Sequence, residues 1–386
     1  MRVTKVFHNF FESEKSGGII LIIATIVSLV MANSALQSHY EAFWLREYFD
    51  MSITSWINDG LMAIFFLLIG LELEREIYDG ELSDMKRASL PIFGALGGML
   101  VPAGIYLAIN FGTSAQNGAG IPMATDIAFA VGILSLLGNR VPASLKVFLT
   151  ALAVIDDLGA ILVIAIFYTK SISFVDLGIS LGIFALLGVL NLVFKVRNII
   201  PYTVGGVAMW WFMHHSGIHA TITGVLLAFA LPFGNGDEKS TSYLVQNFLH
   251  APVAFFILPL FALANTAIVL GDHWQSGLTS LAGIGIILGL FVGKPLGIGL
   301  FSYLAVKLKF CRFPQGIKAK HIFGVGILGG IGFTMSIFIT LLAYDDEQLI
   351  NTSKMAILIA SLLSGVSGLV VLKFLLRKKY KPKIIS

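Results

Sequence analysis

Apolar stretches about 20 residues long, each with few charges, recur along the whole of this chain, and they constrain its fold more than any other feature. A bilayer core of roughly 30 Å takes about 20 apolar residues of helix per crossing. The 386 residues are 56% hydrophobic and 12% charged, with a mean hydropathy of +0.87, values that exclude a soluble globular domain. The spans are predicted to be helices, because lipid offers no partner for unpaired backbone groups, and the ten-residue alternation of a barrel is absent. Hydropathy, Gly/Pro punctuation and charged breaks predict about 12 transmembrane helices, at about 17–33, 56–78, 89–110, 120–138, 143–168, 173–195, 200–214, 217–232, 247–270, 280–306, 321–343 and 353–376. Before the first span, Val3, Val6, Phe7, Phe10 and Phe11 recur at helical spacing and predict a short interfacial helix over 3–13.

The basic residues orient the spans. Arg75, Lys86, Arg87, Arg140, Lys146, Lys195, Arg197, Lys239, the 307–320 loop and the Lys373–Lys383 cluster fall on one side. Only Arg46, Lys170 and Lys354 fall on the other. By the positive-inside rule both termini are expected to be cytoplasmic, and the formal charge of +4 follows from topology with no call for a nucleic-acid partner. "LLRKKYKPK" reads as a stop-transfer segment meeting anionic lipid. The N-terminus mixes acids with bases, unlike a cleaved signal peptide. The single cysteine, Cys311, excludes an internal disulfide framework and reads as an incidental residue of a basic loop on the reducing side.

Two spans are poor continuous helices. "NGAGIPMATDIAFAVG" carries Gly118, Gly120 and Pro122 just before Asp126, and "GVGILGGIGFTMSIF" carries Gly324, Gly326, Gly329, Gly330 and Gly332. Gly costs about 1 kcal/mol in a helix interior and Pro about 3 kcal/mol. Each segment is the second of three spans, in groups 3–5 and 10–12, and an odd offset of seven spans inverts one group relative to the other. Interrupted segments in corresponding places of two inverted-topology repeats point to a transporter's binding site.

The intramembrane charges carry the chemistry. Asp126, Asp156, Asp157 and Lys294 fall inside predicted spans, where each costs about 2.5–3.5 kcal/mol. Buried salt bridges would account for one Asp with Lys294 and leave a carboxylate over. Neighbours on a helix point about 100° apart, so one of Asp156 and Asp157 can meet Lys294 while the other faces a cavity. Asp126 follows Thr125 where a half-helix would restart, so its charge offsets that helix's positive end. A carboxylate in low dielectric holds either a proton or a small cation, which is a minimal mechanism for antiport. Oxygen ligands of this kind favour an alkali or alkaline-earth ion over a transition metal; with Thr125 and unwound carbonyls they suit Na⁺ or Li⁺, and charge alone does not exclude K⁺ or Ca²⁺.

"GIPMATDIAFAVG", "ALAVIDDLGAI", "GKPLGI", "GIGFTMSIFI", "LPLFALAN" and "LIGLELERE" together resemble the NhaA-type Na⁺/H⁺ antiporters of bacterial inner membranes, over essentially the full chain and in order. The resemblance implies a secondary transporter, not an enzyme. It would export Na⁺ or Li⁺ against entering protons, electrogenically and with activation at alkaline pH, for Na⁺ and pH homeostasis and without a cofactor. Asp157 then matches the main cation ligand, and Asp156 its neighbour paired with Lys294. Asp126 and Lys294 match charges that compensate half-helix dipoles where two broken helices cross, spans 4 and 11, with Thr125 beside the site. One transporter domain is implied, with core repeats at about 89–168 and 280–376 and an interface part at about 17–78 and 173–270. A homodimer through a periplasmic hairpin within 45–56 is implied as well. A pH-response set would comprise Asp59, Glu72, Glu76, His219 and Gly332, with Arg75 and His250 nearby; acids of span 2 would line a cytoplasmic funnel.

The chain departs from the family pattern at Gln246 and Asn247, where relatives often carry an acid and then His, and at Glu74, where a Lys is common. These changes touch the pH-sensing face and leave the ion site intact. The main alternative is a sodium-coupled organic-solute symporter of the same broad fold, which needs neither the Asp pair nor a mid-membrane Lys. An intramembrane aspartyl protease is disfavoured, since adjacent carboxylates diverge and no GxGD motif occurs.

Overall fold

Glycines set how closely the helices of this protein approach. The computed structural model describes residues 2–168, 172–234, 236–270, 274–314 and 316–376; Lys170 and the basic cluster beyond Leu376 lie outside them. Among the described residues eight helices are long and apolar enough to cross a membrane, or ten when two bent pairs, Ser16–Ala32 with Gln37–Trp44 and Ala319–Gly329 with Phe333–Ala343, each count as one span. The predicted seventh span is the helix Ile199–His215, of 17 residues, whereas at the predicted eighth the helix Ile222–Ala230 has only 9, starting after a turn that holds His219. The predicted short helix over 3–13 is not separate, because one helix runs unbroken from Arg2 to Ala32. A small antiparallel hairpin, Glu47–Tyr48 with Met51–Ser52, adds the only strands among the described residues.

The chain divides into two compact units. One holds residues 1–19, 84–157 and 271–386, and the other 20–83 and 158–270, so the boundary runs through the Arg2–Ala32 and Ala143–Phe167 helices.

In the first unit the Met85–Asn110 helix packs on Lys294–Lys307, which in turn packs on Ala319–Gly329. The first crossing is reciprocal: a Cβ on Gly97 would strike the Gly297 carbonyl, and one on Gly297 would strike the Gly97 carbonyl. Two backbones meet where either side chain would hold them apart, as small residues permit between membrane helices. Both interrupted segments belong to this unit. Gln116–Met123 is a 3-10 helix, followed by extended backbone at Ala124 and an α-helix over Ile127–Ser135. The first half is thus a tighter coil than the expected half-helix, since Gly118, Gly120 and Pro122 weaken i→i+4 bonding. The second segment breaks between Gly329 and Phe333, with a bend of 52°.

In the second unit the Met62–Tyr78 helix packs on Ile222–Ala230, where a Cβ on Gly224 would strike the Ala63 carbonyl. Among the described residues three spans contain single π-helical turns, at Trp56–Leu61, Val253–Ile257 and, in the first unit, Gly289–Gly293. Such turns are rare and gather at functional sites.

Replacing Gly97 by Val is expected to destabilise the protein by about 1–3 kcal/mol through overpacking. Gly104→Ala, on the same helix with nothing within 4 Å of its added Cβ, is expected to be neutral or to stabilise by up to about 1 kcal/mol. Thermal unfolding in detergent, followed by loss of the monodisperse species, distinguishes the two.

Candidate functional site

A chain that leaves helical geometry inside a membrane frees backbone N–H and C=O groups that only protein can satisfy. Asp126 satisfies two sets at once. As N-cap of Ile127–Ser135 its Oδ1 accepts from Phe129 N–H at 3.0 Å. Its Oδ2 accepts from the Thr334 N–H at 3.1 Å and the Thr334 hydroxyl at 2.5 Å, in the first turn of Phe333–Ala343. One buried carboxylate therefore sits at the positive ends of two helices, where a negative charge is favoured. The two interrupted segments are also bonded directly: Asp126 N–H donates to Ile331 O at 2.7 Å and Ser336 Oγ to Ile121 O at 2.7 Å; Phe333 N–H donates to Ser361 Oγ of the Glu347–Leu375 helix at 3.1 Å. Gly332, the residue before Phe333, has no room for a side chain, since a Cβ there would strike the Ser336 hydroxyl.

Next to this crossing stands a cation. Lys294 follows the π-helical turn Gly289–Gly293, and its ammonium donates to Asp156 Oδ2 at 2.5 Å and to Thr125 Oγ1 at 2.8 Å. The Thr125 hydroxyl has one proton and two acceptors in reach, Asp156 Oδ2 at 2.8 Å and Gly329 O at 2.9 Å. Gly329 ends its helix, so the lysine lies near the negative end of that half while Asp126 faces the positive ends. Thr125, Asp156, Asp157 and Lys294 are 0% exposed, and Asp126 is 2% exposed. Of the adjacent aspartates it is Asp156 that takes the lysine. Its second oxygen, Oδ1, is buried with no hydrogen-bond partner among the described residues. Asp157 follows on the same helix, equally buried. Among the described residues no group of three His, Cys, Asp or Glu gathers as a transition-metal centre would require.

The remaining predicted residues lie in the second unit, apart from Gly332. Asp59 and Glu72 are thirteen positions apart on one span, about 20 Å at 1.5 Å per residue, and each has its own neighbours. Asp59, in the π-helical turn, has His214 Nδ1 and His219 Nε2 each at 3.6 Å, and Trp210 Nε1 donates to its backbone carbonyl at 3.0 Å. Glu72 faces His250 Nδ1 at 3.7 Å. The Arg75 Nε donates to Gln246 Oε1 at 2.7 Å, and the guanidinium lies 4.8 Å from the Tyr243 ring centre. Glu76 folds back over Gly80 at the end of its helix. Glu74 is buried, with Oε2 unpartnered among the described residues. A hollow of about 930 Å³ in this unit, with Trp56, Trp210 and Phe248 on its walls, is lined only by uncharged side chains and offers no carboxylate to a cation.

Sequence reasoning missed Thr334, although a Thr one residue inside a helix restart is a usual place for a hydroxyl that supports a cap. It also missed the π-turn that precedes Lys294 and the pairing of Arg75 with Gln246.

Fold and site define a multi-pass membrane protein in which two interrupted spans cross beside a buried ion pair. A solved structure of similar fold is the sodium proton antiporter MjNhaP1 from Methanocaldococcus jannaschii at pH 8, with a TM-score of 0.55 and 13% identity, covering 98% of this chain and 100% of that one. The family model of Na⁺/H⁺ antiporter 1 matches residues 8–372, and the chain belongs to that family. Curated relatives include the Na⁺/H⁺ antiporter NhaA 1 of Flavobacterium johnsoniae, 65% identical over 97% of this chain and 98% of its own length. The NhaA of Cytophaga hutchinsonii is 59% identical over 98% and 97%, and that of Escherichia coli is 47% identical over 97% and 99%.

Removing the double cap is expected to cost more than removing one donor. Asp126→Ala should destabilise by about 1–4 kcal/mol, two caps at about 0.5–2 kcal/mol each, and Thr334→Val by about 1 kcal/mol. Thermal unfolding of the two variants in detergent checks the order; equal losses would contradict a carboxylate shared by two helices.

Proposed function

We propose that this chain is an electrogenic antiporter that exports Na⁺ or Li⁺ in exchange for entering protons, and that Asp156 and Asp157, with Thr125, bind the cation. The observation that carries this reading is the buried Asp156 Oδ1, an oxygen with no donor among the described residues, on a carboxylate whose other oxygen is held by Lys294 and Thr125. Such an oxygen is expensive to keep dry, and a dehydrated alkali cation or a proton would satisfy it. The names of the relatives support the choice of Na⁺ and H⁺.

The mechanism follows from competition. With Asp157 protonated and Asp156 paired with the Lys294 ammonium, the site is neutral and does not attract Na⁺. Deprotonation gives a site that takes the cation, and the cation competes with the Lys294 ammonium for Asp156. Lys294, whose counter-charge the cation takes, is a second proton carrier in the cycle. More protons than charges on the cation then move per turnover, which makes exchange electrogenic. Asp126 stays in place at the helix ends and keeps the crossing neutral while the charge beside it changes. Alternating access presents this site to each side in turn.

Both termini are cytoplasmic in this reading, in a bacterial inner membrane, supported by the distribution of Lys and Arg. The core repeats are 89–168 and 280–376, supported by the reciprocal Gly97–Gly297 approach. A homodimer forms through the 47–52 hairpin. Activation at alkaline pH follows from the proton competition itself, and the groups at Asp59, Glu72, Glu76, His219 and Gly332 shift its threshold. Gln246, which does not titrate, removes one charge from that set.

The test is proton movement in everted membrane vesicles, read with a pH-gradient dye as Na⁺, Li⁺ or K⁺ is added. Wild type is expected to respond to Na⁺ and Li⁺, with an apparent KM for Na⁺ that rises as the pH falls, roughly tenfold per pH unit for each proton the cation displaces. Asp157→Asn should reduce the response to background while the protein remains folded. Normal exchange by Asp157→Asn would sink the site assignment, and a response that requires an added organic solute would replace antiport by symport.

A further inference from the structure

The strand of chain that carries Thr125 and Asp126 is held at two places. One is the crossing described above, where Ser336 and Thr334 hold Ile121 and Asp126. The other lies about ten residues earlier. There the hydroxyl oxygens of Tyr106 and Tyr344 are 2.5 Å apart, and each is 2.9 Å from the carbonyl oxygen of Ala115. Two hydroxyl protons can fill only two of those three contacts. One O–H therefore donates to Ala115 O, and the other donates either to the same carbonyl or to its neighbour's oxygen. The Gly118 N–H also points at the Tyr344 hydroxyl. Both rings are buried, and the node exists only because residue 118 is glycine, since a Cβ there would strike the Tyr344 hydroxyl and crowd that of Tyr106. Burial pushes the Tyr344 phenol above its ordinary range, so its O–H remains available at neutral and alkaline pH.

The connectivity gives the node its consequence. Tyr344 directly follows the Phe333–Ala343 helix, whose first turn holds Asp126 through Thr334. That one helix is thus pinned at its start to residues 121–126 and at its end to residues 115–118, and Tyr106 ties the same point to the Met85–Asn110 helix. Between the pins runs an eight-residue 3-10 helix. Runs of that coil beyond three or four residues are uncommon because its hydrogen bonds are poorly aligned. A single clamp at Asp126 would leave such a segment free to unwind or rotate from its far end.

We propose that Tyr106 and Tyr344 are positioning residues for ion binding: their shared bond to Ala115 anchors the far end of the interrupted segment and so fixes where Thr125 and Asp126 stand. The proposal rests on the ion site argued above and extends it to two uncharged residues outside that site. When the anchor is lost, cation binding has to order the segment as well, which weakens affinity and leaves the rate at saturation unchanged.

The test uses full-length protein carrying Tyr106→Phe together with Tyr344→Phe, which keeps both rings and removes both hydroxyls. In everted vesicles the apparent KM for Na⁺ is expected to rise roughly fivefold, the order expected for loss of one ordered hydrogen bond, with the maximal rate within about twofold of wild type. Hydrogen exchange over 115–126 should quicken without Na⁺ and return toward wild type at saturating Na⁺. A wild-type KM with unchanged exchange in that segment would overturn the proposal, as would a fall in maximal rate at constant KM, which marks a merely structural role. If the double variant does not fold, Tyr344→Phe alone, with Tyr106 still bonded to Ala115, decides by the same two readouts. Asp157→Asn runs alongside: its normal exchange would mean that the ion-site reading has failed, and the exchange kinetics of 115–126, which need no transport, would still decide for or against the anchor.

Discussion

Backbone that stops being helical inside a bilayer has to be satisfied by other protein groups, and in this molecule a single carboxylate serves both breaks. Asp126 caps the Ile127–Ser135 helix and accepts from the first turn of Phe333–Ala343. Without it, two helix N-termini would meet in a dry interior with their donors facing each other, at a cost of several kcal/mol for groups left unpaired in hydrocarbon. With it, the two breaks lie against each other, Asp126 N–H reaches Ile331 O, and Thr125 comes within reach of the Gly329 carbonyl. Thr125 is the hinge between the crossing and the ion pair, since its hydroxyl also meets Lys294 and Asp156.

The Asp156–Lys294 pair is not there for stability. Burying two charges costs about as much as their attraction returns, and apolar residues of similar size usually do as well. Removing one partner, by contrast, leaves a charge stranded at a cost of about 3–5 kcal/mol. Such a pair is poised: anything that competes for the carboxylate, whether cation or proton, also changes what happens at the lysine. The π-helical turn over Gly289–Gly293 shifts the register of the span immediately before Lys294, and the reciprocal approach of Gly97 and Gly297 brings that span against its neighbour.

Much of this was legible in the sequence because the residues that matter violate local rules. Gly118, Gly120 and Pro122 in an apolar span, the glycines of 324–332, and charges at 126, 156, 157 and 294 are each costly where they stand, and that cost marks them. What stayed hidden depends on partners distant in sequence. Nothing local shows that Thr334 reaches Asp126, that Tyr344 meets Tyr106, or that Arg75 is held by Gln246 rather than by an acid. Hydropathy also misjudged lengths. It reads apolar content, so it gave Ile222–Ala230 the extent of a full span, though the turn around His219 takes up the first residues. Helical spacing at Val3 to Phe11 was real, but no breaker separates that stretch from the first span, and the helix simply continues.

If the buried carboxylates trade protons for a cation, Na⁺ binding must release protons. Titration calorimetry of the purified protein with Na⁺, repeated in buffers of different ionisation enthalpy, counts the protons released on binding. Protons are expected to be released near neutral pH, in a number that declines as the pH rises and the carboxylates empty before Na⁺ arrives. Binding of Na⁺ with no proton release at any pH would contradict that exchange.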